Sequence, residues 1–319
     1  MGRSDWGGRS GLDEWQRKDR RGEQARPLHG ESLAFPFGGG ACSACLLVLS
    51  VLLIAGCQKR GTPSSSGAPA PVTTPSGAVM LLLPGGWFEV GSDPAVEKDE
   101  KRRRVYVDAF YIDRFEVTQA NYQKLVGANP SRYKDPNCPV DQVRWTQAAA
   151  YCNARSRAEG LTACYDPNTW ACDFDAGGYR LPAEAEWEYA CRAGSQSAWC
   201  FGDDEPRLAK HGWYKANQTR GPHAVGRLAP NAWGLYDVHG NLWEWCNDWY
   251  AEDAYAQGPA RNPRGPAAGK DRVLRGGCWD SRPNECRSAY RYYEKPVFTD
   301  VCFGKAVSGF VGIRCVRKR

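Results

Sequence analysis

Asn231-Ala-Trp-Gly-Leu-Tyr-Asp237-Val-His-Gly240-Asn241-Leu-Trp-Glu-Trp245 sustains neither of the repeats that long regular elements need. Its apolar residues do not keep helical spacing, and they do not alternate as on a long half-buried strand. Large aromatic rings separated by Gly and Asn instead predict a core held by turns and short runs. The whole chain after Gly194 reads this way, with Gly, Pro, Asn and Trp between runs of a few residues. Upstream, one helix is clear: Pro182-Ala-Glu-Ala-Glu-Trp-Glu-Tyr-Ala-Cys-Arg192, with Pro first, acids in the first turn, Arg192 in the last and Gly194 beyond. Its Glu184, Glu186 and Glu188 are expected to serve the dipole and the surface, with room for one to turn inward. Thr118 predicts a capped helix through about Leu125, and Thr146 another that Gly160 ends. Met80–Leu83 and Trp87–Val90, split by Pro84-Gly85-Gly86, read as a hairpin, and Arg104–Asp113 as one strand. The fold class is α+β with little regular secondary structure.

Composition removes several functions. The chain has 319 residues, 42 basic and 36 acidic, and a net charge of +6, too little to predict a nucleic-acid partner. Thirteen Trp, 15 Tyr and 10 Phe against two Met predict a rigid aromatic core. The four His are His29, His211, His223 and His239, with no HExxH, so a His-based zinc hydrolase lacks ligands. There is no GxSxG elbow, and Gly265-Pro-Ala-Ala-Gly269-Lys270 is one residue short of a P-loop and lacks its Ser/Thr. Fourteen Cys point away from a reducing compartment.

The amino-terminal region supplies the compartment. Ala41 to Ile54 is nearly uncharged, too short to span a bilayer and suited to a signal h-region. It runs into Ala55-Gly56-Cys57, which resembles a bacterial lipobox with Cys57 as the lipidated residue; a plain secretory signal is the alternative. Cys42 and Cys45 imitate a metal half-site but lie inside the h-region. The expected organisation is a signal with a long leader over 1–56, a lipidated Cys and Pro/Ser/Thr-rich tether over 57–78, and one domain over 79–319. The tether would reach about 25 Å as a flexible coil. The expected location is the bacterial cell envelope, anchored to the membrane by lipid and facing the periplasm or exterior.

Four blocks carry a family resemblance: Gly178-Tyr-Arg-Leu-Pro-Ala-Glu-Ala-Glu-Trp-Glu-Tyr189; Asn231–Trp245; Arg272-Val-Leu-Arg-Gly-Gly-Cys-Trp279; and Arg287-Ser-Ala-Tyr-Arg291, closing with Gly309-Phe-Val-Gly-Ile-Arg314. Phe115-Glu-Val-Thr118-x-x-x-Tyr122 fits as well. Together they resemble the sulfatase-modifying-factor, or formylglycine-generating-enzyme, family over about residues 79–317. The resemblance implies a compact α+β fold related to C-type lectins. Active members oxidise a substrate cysteine to formylglycine with O₂, using copper(I) on two thiols separated by four residues.

Here the resemblance departs from the family. The second thiol matches Cys286, but the first position is Ser281, a poor copper(I) ligand; Cys278 stands three residues too early. A displaced Cys278–Cys286 pair would keep the oxidase, and two structural cysteines would not. The leading expectation is a non-catalytic binding or assembly module for an exported protein, peptide or glycan. Trp233, Trp243, Trp245, Arg287 and Arg291 would line a cleft, or else serve as core and ion-pair partners. The resemblance also implies structural Ca²⁺ at Asp237, Gly240, Leu242 and Glu244, against which Glu244 pairing with an Arg in a Trp-lined core is the alternative. The family's second Ca²⁺ loop has no match between Phe201 and Gly226. A family disulfide implies Cys152 with Cys315. Cys164 and Cys172 could close a local hairpin, and Cys191 lacks its family partner, whose position is Arg291.

Overall fold

The computed structural model describes residues 70–297 and 310–319. Its elements are short, as the sequence predicts. A five-stranded sheet runs β1 (Pro71–Thr73), β2 (Val79–Leu83), β5 (Phe110–Asp113), β11 (Val316–Lys318), β6 (Tyr179–Arg180), with every pair antiparallel. A four-stranded sheet runs β10 (Val311–Gly312), β7 (Trp243–Trp249), β8 (Arg272–Arg275), β9 (Tyr292–Glu294), with β10 parallel to β7. β3 (Gly86–Val90) and β4 (Arg103–Val107) form a separate antiparallel pair.

Three strand readings change. Met80–Leu83 and Trp87–Val90 do not pair with each other: β2 pairs with β5, and β3 with β4. Arg104–Asp113 is two strands, because its buried side chains change phase. Val105 and Val107 are buried at odd positions, Phe110 and Ile112 at even ones, and one extended strand cannot turn both sets to one core. The break at Asp108-Ala109 packs against Gly85, where an added Cβ would sit 2.9 Å from the Ala109 nitrogen. The tether also ends early, since Pro71–Thr73 pairs with Val79–Leu81 through a turn closed by Gly77 N–H to Thr74 O at 2.9 Å. An exposed edge strand needs backbone partners rather than large side chains.

The helices match the sequence better. In α1 (Gln119–Val126), Thr118 Oγ1 accepts the Asn121 N–H at 3.2 Å and Gly127 closes with φ 81°. α2 (Trp145–Ala158) starts ahead of Thr146, with Gln147 Oε1 accepting the Arg144 N–H at 3.0 Å. Trp145 belongs to the helix because its indole is buried and donates to Cys246 O at 2.9 Å. α3 (Glu184–Arg192) begins after Ala183 rather than at Pro182. A last short turn, α4, spans Ala254–Gln257.

α3 is the structural hub, and its acids are not surface groups. Glu184 receives Arg291 at 2.7 and 2.8 Å. Glu188 receives Arg192 at 2.8 Å and also Arg275, while Glu186 pairs Arg180 at 2.6 and 2.7 Å. Trp187 and Tyr189 pack the same helix into the main apolar cluster with Phe88, Val107, Leu235 and Val273.

Candidate functional site

β8 delivers the chain into Gly276 and Gly277, both at positive φ (98° and 78°). Gly277 is required sterically, since a Cβ there would lie 2.6 Å from the Cys286 sulfur. The next residues close a tight turn. Ser281 N–H donates to Cys278 O at 2.9 Å, and Ser281 Oγ accepts the Cys278 N–H at 3.1 Å. The Cys278 sulfur lies 3.6 Å from that same oxygen. Ser281 therefore serves the turn that holds Cys278. A 3-10 turn over Pro283–Cys286 then buries Cys286 against Trp199, Leu208 and Tyr214.

A buried histidine supports this region. His239 Nδ1 donates to Cys286 O at 2.9 Å, and its Nε2 accepts the Cys200 N–H at 3.1 Å, which sets the tautomer. Burial lowers its pKa to about 4, so the ring is neutral. The Cys191 sulfur lies 3.9 Å from both ring nitrogens and 3.6 Å from Ser288 Oγ. Burial pushes the Cys191 and Cys278 thiols up to about 12 and raises Cys286 well above the thiol range. These sulfurs are protonated at neutral pH and are poor nucleophiles. The sequence reading gave His239 no role; it stood in a quoted block, but nothing local marks it as the Cys286 support.

On the other side of Gly240, three buried carboxylates lie within electrostatic range of one guanidinium, which pairs with one of them. Arg314 binds both oxygens of Glu244 at 2.6 to 3.0 Å, and the Trp187 indole donates to Glu244 Oε2 at 2.7 Å. Glu116 accepts from Asn241 Nδ2 at 2.6 Å and from the Leu242 N–H at 3.0 Å. Asp237 Oδ2 accepts the Gly226 N–H at 2.7 Å, while its Oδ1 is buried without a partner. Burial, with neighbouring carboxylates, raises Glu116 well above its usual range, and burial raises Asp237 to about 6.

A family model, the sulfatase-modifying factor enzyme 1-like domain, matches residues 65–319. The chain belongs to the sulfatase-modifying factor enzyme family. It is 30% identical to the formylglycine-generating enzyme of Bos taurus, over 74% of this chain and 73% of that protein. It is also 30% identical to chaperone protein LppX of Paenibacillus barcinonensis, over 77% and 90% of the two. Among solved structures, Treponema denticola variable protein 1 superposes with a TM-score of 0.70 at 27% identity, covering 78% of this chain and 99% of that one.

Within this sulfatase-modifying-factor domain the copper donors are one thiol at Cys286, a hydroxyl at Ser281 and a displaced thiol at Cys278. Copper(I) needs soft sulfur donors, and the hydroxyl that stands in the first position is hard. Among the described residues no group of three His, Cys, Asp or Glu converges as a metal site. The donor set as folded does not fit copper(I). For calcium the fit is divided. Asp237, with its unpartnered buried Oδ1, suits a hard cation, as do the carbonyls of Gly240 and Leu242 by their chemistry. Glu244 does not, because both oxygens already serve Arg314 and Trp187; the Arg-paired alternative describes it.

The expected cleft is corrected too. Arg287 is buried on Glu100 at 2.8 Å through both terminal nitrogens, and Arg291 on Glu184. Trp243 and Trp245 are buried, and Trp233 packs half-buried on Tyr189 at 4.8 Å. These residues build the core instead of lining a groove. The structure brings the Cys152 and Cys315 sulfurs within 3.7 Å. It places Cys172 opposite Tyr165, and the Cys164 sulfur lies 3.9 Å from Ala176 O. Cys57 lies outside the described residues.

Proposed function

We propose that this protein is an envelope lipoprotein whose sulfatase-modifying-factor domain is a non-catalytic binding or assembly module. The observation that carries the reading is the state of the Cys278–Ser281–Cys286 turn. The position that needs the first thiol holds the Ser281 hydroxyl, which is spent on holding the turn at Cys278. An oxidase of this chemistry needs a thiolate to take the metal and a second sulfur to complete the pair. The likeness to a relative named as a chaperone supports an assembly role, beside the likeness to relatives named as formylglycine-generating enzymes.

The test is competition of the reduced protein against a chromogenic chelator for copper(I), with Cys286→Ser measured beside it. A cysteine-containing peptide is incubated with protein, copper and O₂ and read by mass spectrometry. The expected result is no copper binding tighter than micromolar and no formylglycine product. Sub-micromolar binding that Cys286→Ser abolishes, together with product, would overturn the reading in favour of the oxidase.

A further inference from the structure

The β3–β4 pair carries a second surface that shares no residue with the Cys278–Cys286 turn. Its register sets Trp87 opposite Tyr106 and Glu89 opposite Arg104. Phe88, Val90, Val105 and Val107 take the buried face, so Trp87, Glu89, Arg104 and Tyr106 share the other. Trp87 is left 49% exposed, a large apolar ring about half open to solvent. It meets the Tyr106 ring edge-on at 5.4 Å. The Arg104 guanidinium lies 5.2 Å from the Trp87 ring, and that of Arg261 lies 4.1 Å from the Tyr106 ring.

The strip continues into a cavity. Tyr106 N–H donates to Ala260 O, and Asn262 N–H donates to Tyr106 O, both at 2.7 Å, so the 260–264 segment follows the edge of β4. Asn262, Pro263 and Arg264 then wall a cavity of about 170 Å³ with Asp108, Phe174 and Lys318. Arg264 lies over the Phe174 ring at 4.1 Å. Among the described residues neither Arg104 nor Arg264 has a carboxylate within ion-pair range; Glu89, the cross-strand neighbour of Arg104, lies 3.4 Å from Arg102 instead. Arg104 thus borders the Trp87 ring and Arg264 the cavity; the carboxylates that also line the cavity, Asp108, Asp175 and Glu186, are paired with Arg261, Lys318 and Arg180.

We propose that this strip binds an acidic saccharide, with a sugar ring on Trp87 and carboxylates taken by Arg104 and Arg264. The weakly positive C–H face of a pyranose suits the negative face of an indole, and planar guanidiniums match carboxylates in two-pronged fashion. A membrane surface fits less well, since a single exposed ring offers little apolar area to insert. The site stands whether or not the domain binds copper.

Calorimetry on the full chain tests it, with a uronic-acid hexasaccharide as the probe. A neutral hexasaccharide, hexaglutamate and anionic lipid vesicles are the comparisons. The uronic-acid probe is expected to bind, and the neutral sugar about tenfold more weakly or not at all. Trp87→Ala and Arg264→Ala should each weaken binding about tenfold, as the loss of one stacking or charge contact predicts. Trp87→Phe should keep most of it, and melting temperatures should not move, because these side chains are exposed. No binding of the probe, or binding that neither alanine variant weakens, would overturn the proposal. Equal or tighter binding of hexaglutamate or vesicles with the same sensitivity would overturn it as well, in favour of a protein or a lipid partner.

Discussion

Asp248 shows how far a single buried group can depart from its sequence expectation. Its Oδ2 accepts the Glu184 N–H at 2.9 Å, deep behind α3. Burial first, and then the neighbouring Glu184 charge, raise its pKa to about 8. The folded state then holds a proton that the unfolded chain releases near pH 4. Between those values the native state binds more protons, so stability falls as pH rises from about 4 to 8. Asp248→Asn removes the ionisation and keeps an acceptor oxygen. Thermal melts should show the wild type losing several degrees between pH 5 and pH 8 beyond any loss in the variant, and identical slopes would show that Asp248 is not the source. Asp237 sets a second test. If its free Oδ1 takes a cation, calcium added after chelation raises the melting temperature and Asp237→Ala loses that rise. A wild type indifferent to calcium would remove the metal from this fold.

Among the elements, α2 and the residue just ahead of β11 meet through Cys152 and Cys315, whose sulfurs lie 3.7 Å apart across 163 residues of chain. A disulfide needs an S–S length near 2.05 Å, a small further approach. Closing a loop of that size contributes on the order of 5 kcal/mol in the chain-entropy model, comparable to the net stability of a domain. The same junction holds the buried Arg155–Asp113 pair at 2.8 and 2.9 Å. Cys152→Ser, Cys315→Ser and the double variant should therefore lower the melting temperature by similar amounts. Peptide mapping without reductant that finds either thiol free or joined elsewhere would show the pairing to be wrong. Caps were legible at this scale because their partners are local: Thr118 serves Asn121, and Gly127 follows the helix it ends. The hairpin misreading at Pro84-Gly85-Gly86 had no such local arbiter, since β2 and β3 both look like strands and only their partners differ.

For the whole molecule, the proposed lipid anchor decides where the domain works. Among the described residues no helix is long and apolar enough to cross a membrane, and the attachment proposed here is through Cys57. Wild type should sediment with membranes, and Cys57→Ala should leave an unprocessed or soluble form; a wild type found wholly in the soluble fraction would refute the anchor. A multiply acylated residue holds stably where one chain would not.

The sequence by itself determined the fold class, the three longer helices to within a residue or two, and the substitution of Ser281 for a copper thiol. Those depend on spacing, caps and residue chemistry, which act within a few positions. Only the tertiary structure decided which charges are core. Glu184 meets Arg291 across 107 residues, Glu100 meets Arg287 across 187, and Glu244 meets Arg314 across 70. Little along the chain marks those carboxylates as inward, because an acid is equally at home in water until a guanidinium from a distant segment arrives to cover its burial cost. The same holds for the thiols. Cys278 and Cys286 read as chemistry in one dimension, but the turn held by Ser281 and the aromatic wall around Cys286 remove them from water, and burial keeps them protonated.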